Sequence, residues 1–193
     1  MVGYPKDVEE VYFGAQGIFA AVRPGMLLID MTTTSPRLSK RIYLHAKEAG
    51  ADALDAPVSG GDSGARQGTL SIMVGGDEDA FARAQPIFAP LGKTIGYQGP
   101  AGSGQHTKMA NQIAIAGAVS GVCEALAYGP AQGLDEQRML AAISGGAAGS
   151  WQMTNNGPKM VRGDFAPGFF IKHYIKDMRI AEEEAEDQGL ELG

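Results

Sequence analysis

Gly102-Ser-Gly-Gln-His-Thr-Lys-Met-Ala-Asn-Gln112 separates two kinds of pattern along this chain. Small, flexible residues give way here to a long run without a breaker, so the stretch reads as a loop feeding a helix. Before it, short apolar runs alternate with helical ones. Met26–Ile29, Ala53–Val58, Leu70–Val74 and Lys93–Tyr97 read as strands, with Asp30 marking the carboxyl end of the first. Helices are predicted from Asp7 to Val11, from Ser35 (N-cap) and Pro36 to a stop at Gly50, and from Asp79 to Leu91, where Pro86 should kink or shorten the run. That alternation predicts an α/β layer with a largely parallel sheet. Beyond the stretch no strand signal recurs. Helices are predicted at Lys108–Leu126, Asp135–Ile143, Ser150–Val161 (broken at Gly157-Pro158) and Lys172–Gln188. The chain thus reads as α/β over residues 1–100 and all-helical over 101–193, with a composite site expected at the junction. Gly117 and Gly121 suggest a place where another helix passes close, because a glycine in an exposed helix costs about 1 kcal/mol relative to alanine.

The bulk composition bounds the function classes. At 44% hydrophobic and 20% charged, the 193 residues are ordinary for a soluble globular protein. A net charge of -6 and the lack of a basic cluster argue against general nucleic-acid binding. The single cysteine, Cys123, excludes a disulfide framework; its neighbours Val122 and Ala125 suggest a buried small residue. No apolar run approaches the ~18 residues of a membrane span, and no signal-like start is seen, so no membrane partner is expected and a cytoplasmic location is the default. His45, His106 and His173 show no zinc-like spacing, and no metal is expected.

Two constellations carry chemistry. Residues three and four apart on a helix share a face, so Lys108 projects together with Asn111 and Gln112. An ammonium is a proton donor whose pKa falls readily on desolvation, and carboxamides hold hydroxyls and carboxylates in register. A lone solvated lysine is the competing reading. In Asp55-Ala-Pro-Val-Ser-Gly-Gly61, a serine and two glycines follow a strand's carboxyl end, where open α/β sheets bind ligands. The backbone N–H groups of Gly60 and Gly61 with the Ser59 hydroxyl suit a small carboxylate, although Ser-Gly-Gly is also a common turn.

Taken in order, Pro5-Lys-Asp-Val8, Asp30-Met-Thr-Thr33, Asp55–Gly61, Gly68-Thr-Leu70, Met73-Val-Gly-Gly76, Gly102-Ser-Gly104 with Lys108-Met-Ala-Asn-Gln112, and Lys176-Asp177 closely resemble the β-hydroxyacid dehydrogenases. That family includes 3-hydroxyisobutyrate dehydrogenase and tartronate semialdehyde reductase (2-hydroxy-3-oxopropionate reductase). The Lys-Met-Ala-Asn-Gln form and Gly145–Ser150 look more like the latter branch. The resemblance implies the C-terminal part of a Rossmann-like domain followed by an all-α domain. It implies hydride transfer between a 3-hydroxy acid or its semialdehyde and NAD or NADP, with Lys108 exchanging the hydroxyl proton. Ser59, Gly60 and Gly61 would anchor the substrate carboxylate, Asn111 and Gln112 would orient substrate, and Asp177 would lie near the lysine. Pro5, Lys6, Thr33 and Lys176 would meet the cofactor, and the enzyme would be a homo-oligomer.

Two departures stand out. The family opens with a strand, a Gly-x-Gly-x-x-Gly loop and a helix for the pyrophosphate, and Gly14-Ala-Gln-Gly17 has neither that spacing nor a preceding strand. The chain also stops before the family's last helices, so it is expected to be an internal fragment, truncated at both domains and not a competent dehydrogenase by itself. The determinant of NAD against NADP would lie outside it. The other departure is Gln112, where related enzymes often carry asparagine. Imine reductases, 6-phosphogluconate dehydrogenase-like enzymes and a non-catalytic helical interaction module are the alternatives. Retained Lys108 argues against the first, and the second would want basic phosphate ligands, of which none stands out.

Overall fold

A computed structural model describes residues 1–192. The elements run α1 (Pro5–Phe13), a 3-10 turn (Ile18–Ala20), β1 (Leu27–Asp30), α2 (Pro36–Glu48), β2 (Asp52–Asp55), β3 (Val58–Ser59), α3 (Gly61–Gln67), β4 (Leu70–Gly75), α4 (Glu78–Phe88), β5 (Gly92–Gly99), α5 (Ser103–Ala131), α6 (Glu136–Ser144), a π-helical turn (Gln152–Asn156), α7 (Gly157–Val161) and α8 (Ile171–Glu186). They form two compact units, one of Met1–Ala110 with the segment from Gly168 onward, the other of Asn111–Pro167.

In the first unit the sheet order is β1-β2-β4-β3, with β5 also paired to β4. The long pairings are parallel: β1 with β2 from Leu27↔Asp52 to Asp30↔Asp55, and β4 with β5. The short ones are antiparallel, β2 meeting β4 at Asp55↔Gly75 and β3 meeting β4 at Val58↔Ile72 and Ser59↔Ser71. The run expected as one strand over Ala53–Val58 is therefore two. Pro57 lies between them and has no N–H to give a ladder, so the strand ends before it and the chain re-pairs beyond it. Leu54, Ile72, Val74 and Phe88 form one apolar core, and Val8, Tyr12, Ile42, Ala46 and Ala53 another. Ser35 caps α2 as expected, its hydroxyl accepting from the Leu38 N–H at 3.2 Å. With Pro86 inside it, α4 ends at Phe88, short of the expected Leu91.

The second unit packs Val122, Leu140 and Met153 together, with Leu126, Ile143, Met160 and Val161 around them. Three expectations for α5 need correction. Its Gly117 and Gly121 meet no close helix: a Cβ built on either finds nothing within 4 Å among the described residues. Cys123 is exposed, because it lies about 100° around the helix from the buried Val122. At 29 residues with a window of mean hydropathy 1.4, α5 is also long and apolar enough by length and composition to cross a membrane. Its many alanines raise that average, and its first turns hold a buried ammonium and buried carboxamides.

Candidate active site

The site is built on the carboxyl ends of two adjacent parallel strands. Asp30 of β1 and Asp55 of β2 are register partners, and both are buried. Each turns its carboxylate onto the backbone of a segment that follows. Asp30 Oδ1 accepts from the Thr32 N–H at 2.9 Å. Asp55 accepts from the Gly102 N–H at 2.7 Å and from the Gln105 N–H at 2.9 Å, and so caps the first turn of α5 from outside the helix. That turn otherwise presents unpaired donors and the positive end of the helix dipole, which a carboxylate satisfies. The approach is tight. A Cβ on Gly104 would sit 2.5 Å from the Met73 carbonyl oxygen and 2.8 Å from Asp55 Oδ2, so no larger residue fits there. Burial raises the pKa of Asp55 while the backbone donors pull it back down.

This anchor places Lys108 in the second turn of α5, at 7% exposure. Burial draws its ammonium down to a pKa of about 8, with the Asp177 carboxylate acting upward and the Lys176 ammonium downward. Desolvation disfavours the charged form of an amine, so a buried lysine becomes able to give and take a proton near neutrality. Asp177 on α8 is 1% exposed and pairs with Lys176 at 2.9 Å. Lys176 also donates to the Thr33 carbonyl at 2.5 Å. Met109 packs with Ile180 and Ala181, which holds α8 against the start of α5. Lys108, Lys176, Asp177 and Thr33 are thus brought together from three separated parts of the sequence.

The other expected residues are placed as follows. Ser59 ends β3, half-buried, and Gly60 and Gly61 start α3 at φ +130 and +64. Both angles are left-handed, which is why glycine stands there. Pro5 and Lys6 open α1, whose preceding residue Tyr4 lies against His173 of α8 with ring centroids 5.4 Å apart. Asn111 and Gln112 occupy the next turn of α5, counted with the second unit; Asn111 Nδ2 donates to Gln112 Oε1 at 2.8 Å, and Gln112 is buried. Two residues escaped the sequence reading as contributors, Asp55 and Gln105. Gln105 is fully buried, and its amide joins the loop after β1, accepting from the Thr34 N–H at 3.0 Å and donating to the Thr32 carbonyl at 2.8 Å. Its place three before Lys108, on the same helix face, was the available signal.

The residues around Thr33 offer a rigid seat for a polar ligand. The loop backbone is fixed by Asp30, Gln105 and Lys176, while the Thr33 side chain stays partly open between the buried Thr32 and Thr34. Among the described residues no group of three or more His, Cys, Asp or Glu side chains is arranged to hold a metal.

Known proteins resemble the chain along its whole length. A family described as the NAD binding domain of 6-phosphogluconate dehydrogenase matches residues 1–99, and one described as NAD-binding of NADP-dependent 3-hydroxyisobutyrate dehydrogenase matches residues 102–193. The chain is 59% identical over 192 residues to the uncharacterized oxidoreductase YkwC of Bacillus subtilis (strain 168), covering 100% of this chain and 67% of that protein. It is 44% identical over 192 residues to the 2-hydroxy-3-oxopropionate reductase of Escherichia coli (strain K12), covering 100% and 66%. The solved structure of 3-hydroxyisobutyrate dehydrogenase from Mycobacterium tuberculosis with L-serine superposes with a TM-score of 0.89 at 32% identity, over 100% of this chain and 67% of that one. The chain therefore spans about two thirds of the length of these proteins. Matched along both halves by NAD-binding models and by relatives of this kind, the chain belongs to the β-hydroxyacid dehydrogenase family, whose cofactor is NAD or NADP.

Proposed function

We propose that the complete protein interconverts a 3-hydroxy acid and its semialdehyde by hydride transfer, with 2-hydroxy-3-oxopropionate or 3-hydroxyisobutyrate as its substrate. The observation that carries this reading is Lys108, buried beside Asp177 with a pKa drawn down to about 8. The nicotinamide ring, when bound, takes or gives the hydride. In oxidation the neutral Lys108 amine takes the hydroxyl proton as the C–H bond on the same carbon breaks. In reduction the Lys108 ammonium polarises the carbonyl and gives its proton to the oxygen. Burial is what brings the amine near its two-state balance; Asp177 favours the charged lysine and Lys176 the neutral one.

Ser59 and the N–H groups of Gly60 and Gly61 bind the substrate carboxylate in this proposal, and Asn111 and Gln112 orient the substrate. Pro5, Lys6, Thr33 and Lys176 hold the cofactor. The domains divide at residue 100, close to the break between the two family matches; the enzyme works as a homo-oligomer in this proposal.

Ser59→Ala should raise KM for the hydroxy acid about tenfold, the worth of one hydrogen bond to a carboxylate, with kcat within a factor of about three. Initial rates over a substrate series check it, and an unchanged KM would remove Ser59 from the carboxylate site. The proposal as a whole is tested by following the reduced nicotinamide with both substrates and both coenzymes. Turnover of a 3-hydroxy acid or its semialdehyde supports it; binding of coenzyme without turnover of either would contradict it.

A further inference from the structure

Gln105 makes a pair of contacts that no local feature of α5 requires. Its carboxamide reaches the two peptide groups that flank Thr33, accepting from the Thr34 N–H at 3.0 Å and donating to the Thr32 carbonyl at 2.8 Å. Its own backbone N–H goes to Asp55 at 2.9 Å. Two further loop groups have partners: the Thr32 N–H meets Asp30, and the Thr33 carbonyl meets Lys176. The loop is thus braced from α5, α8 and β1 at once, and the brace from α5 comes from a residue on the same face as Lys108.

The side-chain chemistry is specific. One acceptor and one donor, held in a plane, complement an N–H and a C=O two residues apart. An apolar residue of the same length would leave two buried backbone groups unpaired. A glutamate would keep the acceptor and regain the donor only when protonated. We infer that Gln105 is a positioning residue that locks the cofactor loop around Thr33 to the helix that carries Lys108, so that the cofactor seat and the proton-exchanging amine are set by one rigid connection. The inference rests on the reading that Thr33 meets the cofactor. Gln105 touches neither substrate nor cofactor in this scheme; it acts through the loop.

The test compares Gln105→Met and Gln105→Glu with the parent in the complete protein. Three quantities are read: amide exchange at Thr34, with the β4 amides as an internal control, the affinity for NADH and NADPH by calorimetry, and the pH dependence of both. Gln105→Met should speed Thr34 exchange at least about tenfold, the worth of one buried hydrogen bond, with β4 unchanged, and weaken coenzyme binding by about the same factor. Gln105→Glu should show the defect at pH about 8 and recover as the pH falls toward about 5, where a carboxyl regains its proton. Asp30 at the end of β1 and Asp55 at the end of β2 bond to the same loop and helix start, and their negative charge assists that protonation; the Lys176 ammonium opposes it. Parent-like Thr34 exchange and affinity in Gln105→Met would overturn the inference, as would an equal rise in β4 exchange, which marks general loosening. A parent protein that binds neither coenzyme, with Thr34 exchange still responding to Gln105→Met, would count against the cofactor reading and leave the lock supported.

Discussion

Replacing Lys108 with alanine should cut turnover of the complete protein roughly 10²–10⁴-fold, the range of a positioned acid–base group, while coenzyme affinity changes little. The lysine is buried in the second turn of α5, beside the Lys176–Asp177 pair, and Thr33 is reached by Lys176 and not by Lys108. Removing its side chain therefore takes away proton exchange and leaves the proposed cofactor contacts in place. Lys108→Arg should rescue poorly, because a guanidinium holds its proton at all accessible pH and cannot serve as the base. Steady-state rates and coenzyme titrations on the three proteins decide it. A parallel loss of turnover and coenzyme affinity in Lys108→Ala would show a structural lysine.

The second large effect is on stability. Asp55→Ala should cost about 2–4 kcal/mol in urea unfolding. Two backbone donors of the α5 start lose a carboxylate acceptor, each bond to a charged group being worth roughly 1.5–3 kcal/mol. Relief from burying the carboxylate, whose pKa burial raises, returns part of that. Because Asp55 holds the turn before Lys108, the variant should also lose turnover beyond its loss of folded protein. A change below about 1 kcal/mol would mean that α5 keeps its start without the external cap.

Much of this was legible in residue order. Ser35 and Pro36 announced the start of α2, and the helical spacing put Lys108, Asn111 and Gln112 on one face of a helix that is present. What periodicity cannot carry is a partner distant in the chain. The Asp55 carboxylate meets amides 47 and 50 residues on, and Lys176 reaches a carbonyl 143 residues back. Gln105 showed only that it shares a helix face with Lys108; its partners, backbone groups of a distant loop, leave no mark in side-chain pattern. The grouping of Lys176 and Asp177 with Lys108 was available only through the family resemblance. The α3 helix, short and rich in glycine, gave no apolar periodicity to read, and the break between β2 and β3 was passed over in the expected single strand Ala53–Val58 although Pro57 stands in it.

If burial makes Lys108 a proton exchanger, its own titration must show it. With the lysine side chains isotopically labelled and the Lys108 resonance assigned by Lys108→Arg, its NMR shift is followed against pH. The midpoint is expected near 8, well below the ordinary 10.5 of a lysine, moving lower still when Asp177→Asn removes the carboxylate that favours the charge. A Lys108 midpoint at the ordinary value, unmoved by Asp177→Asn, would contradict it.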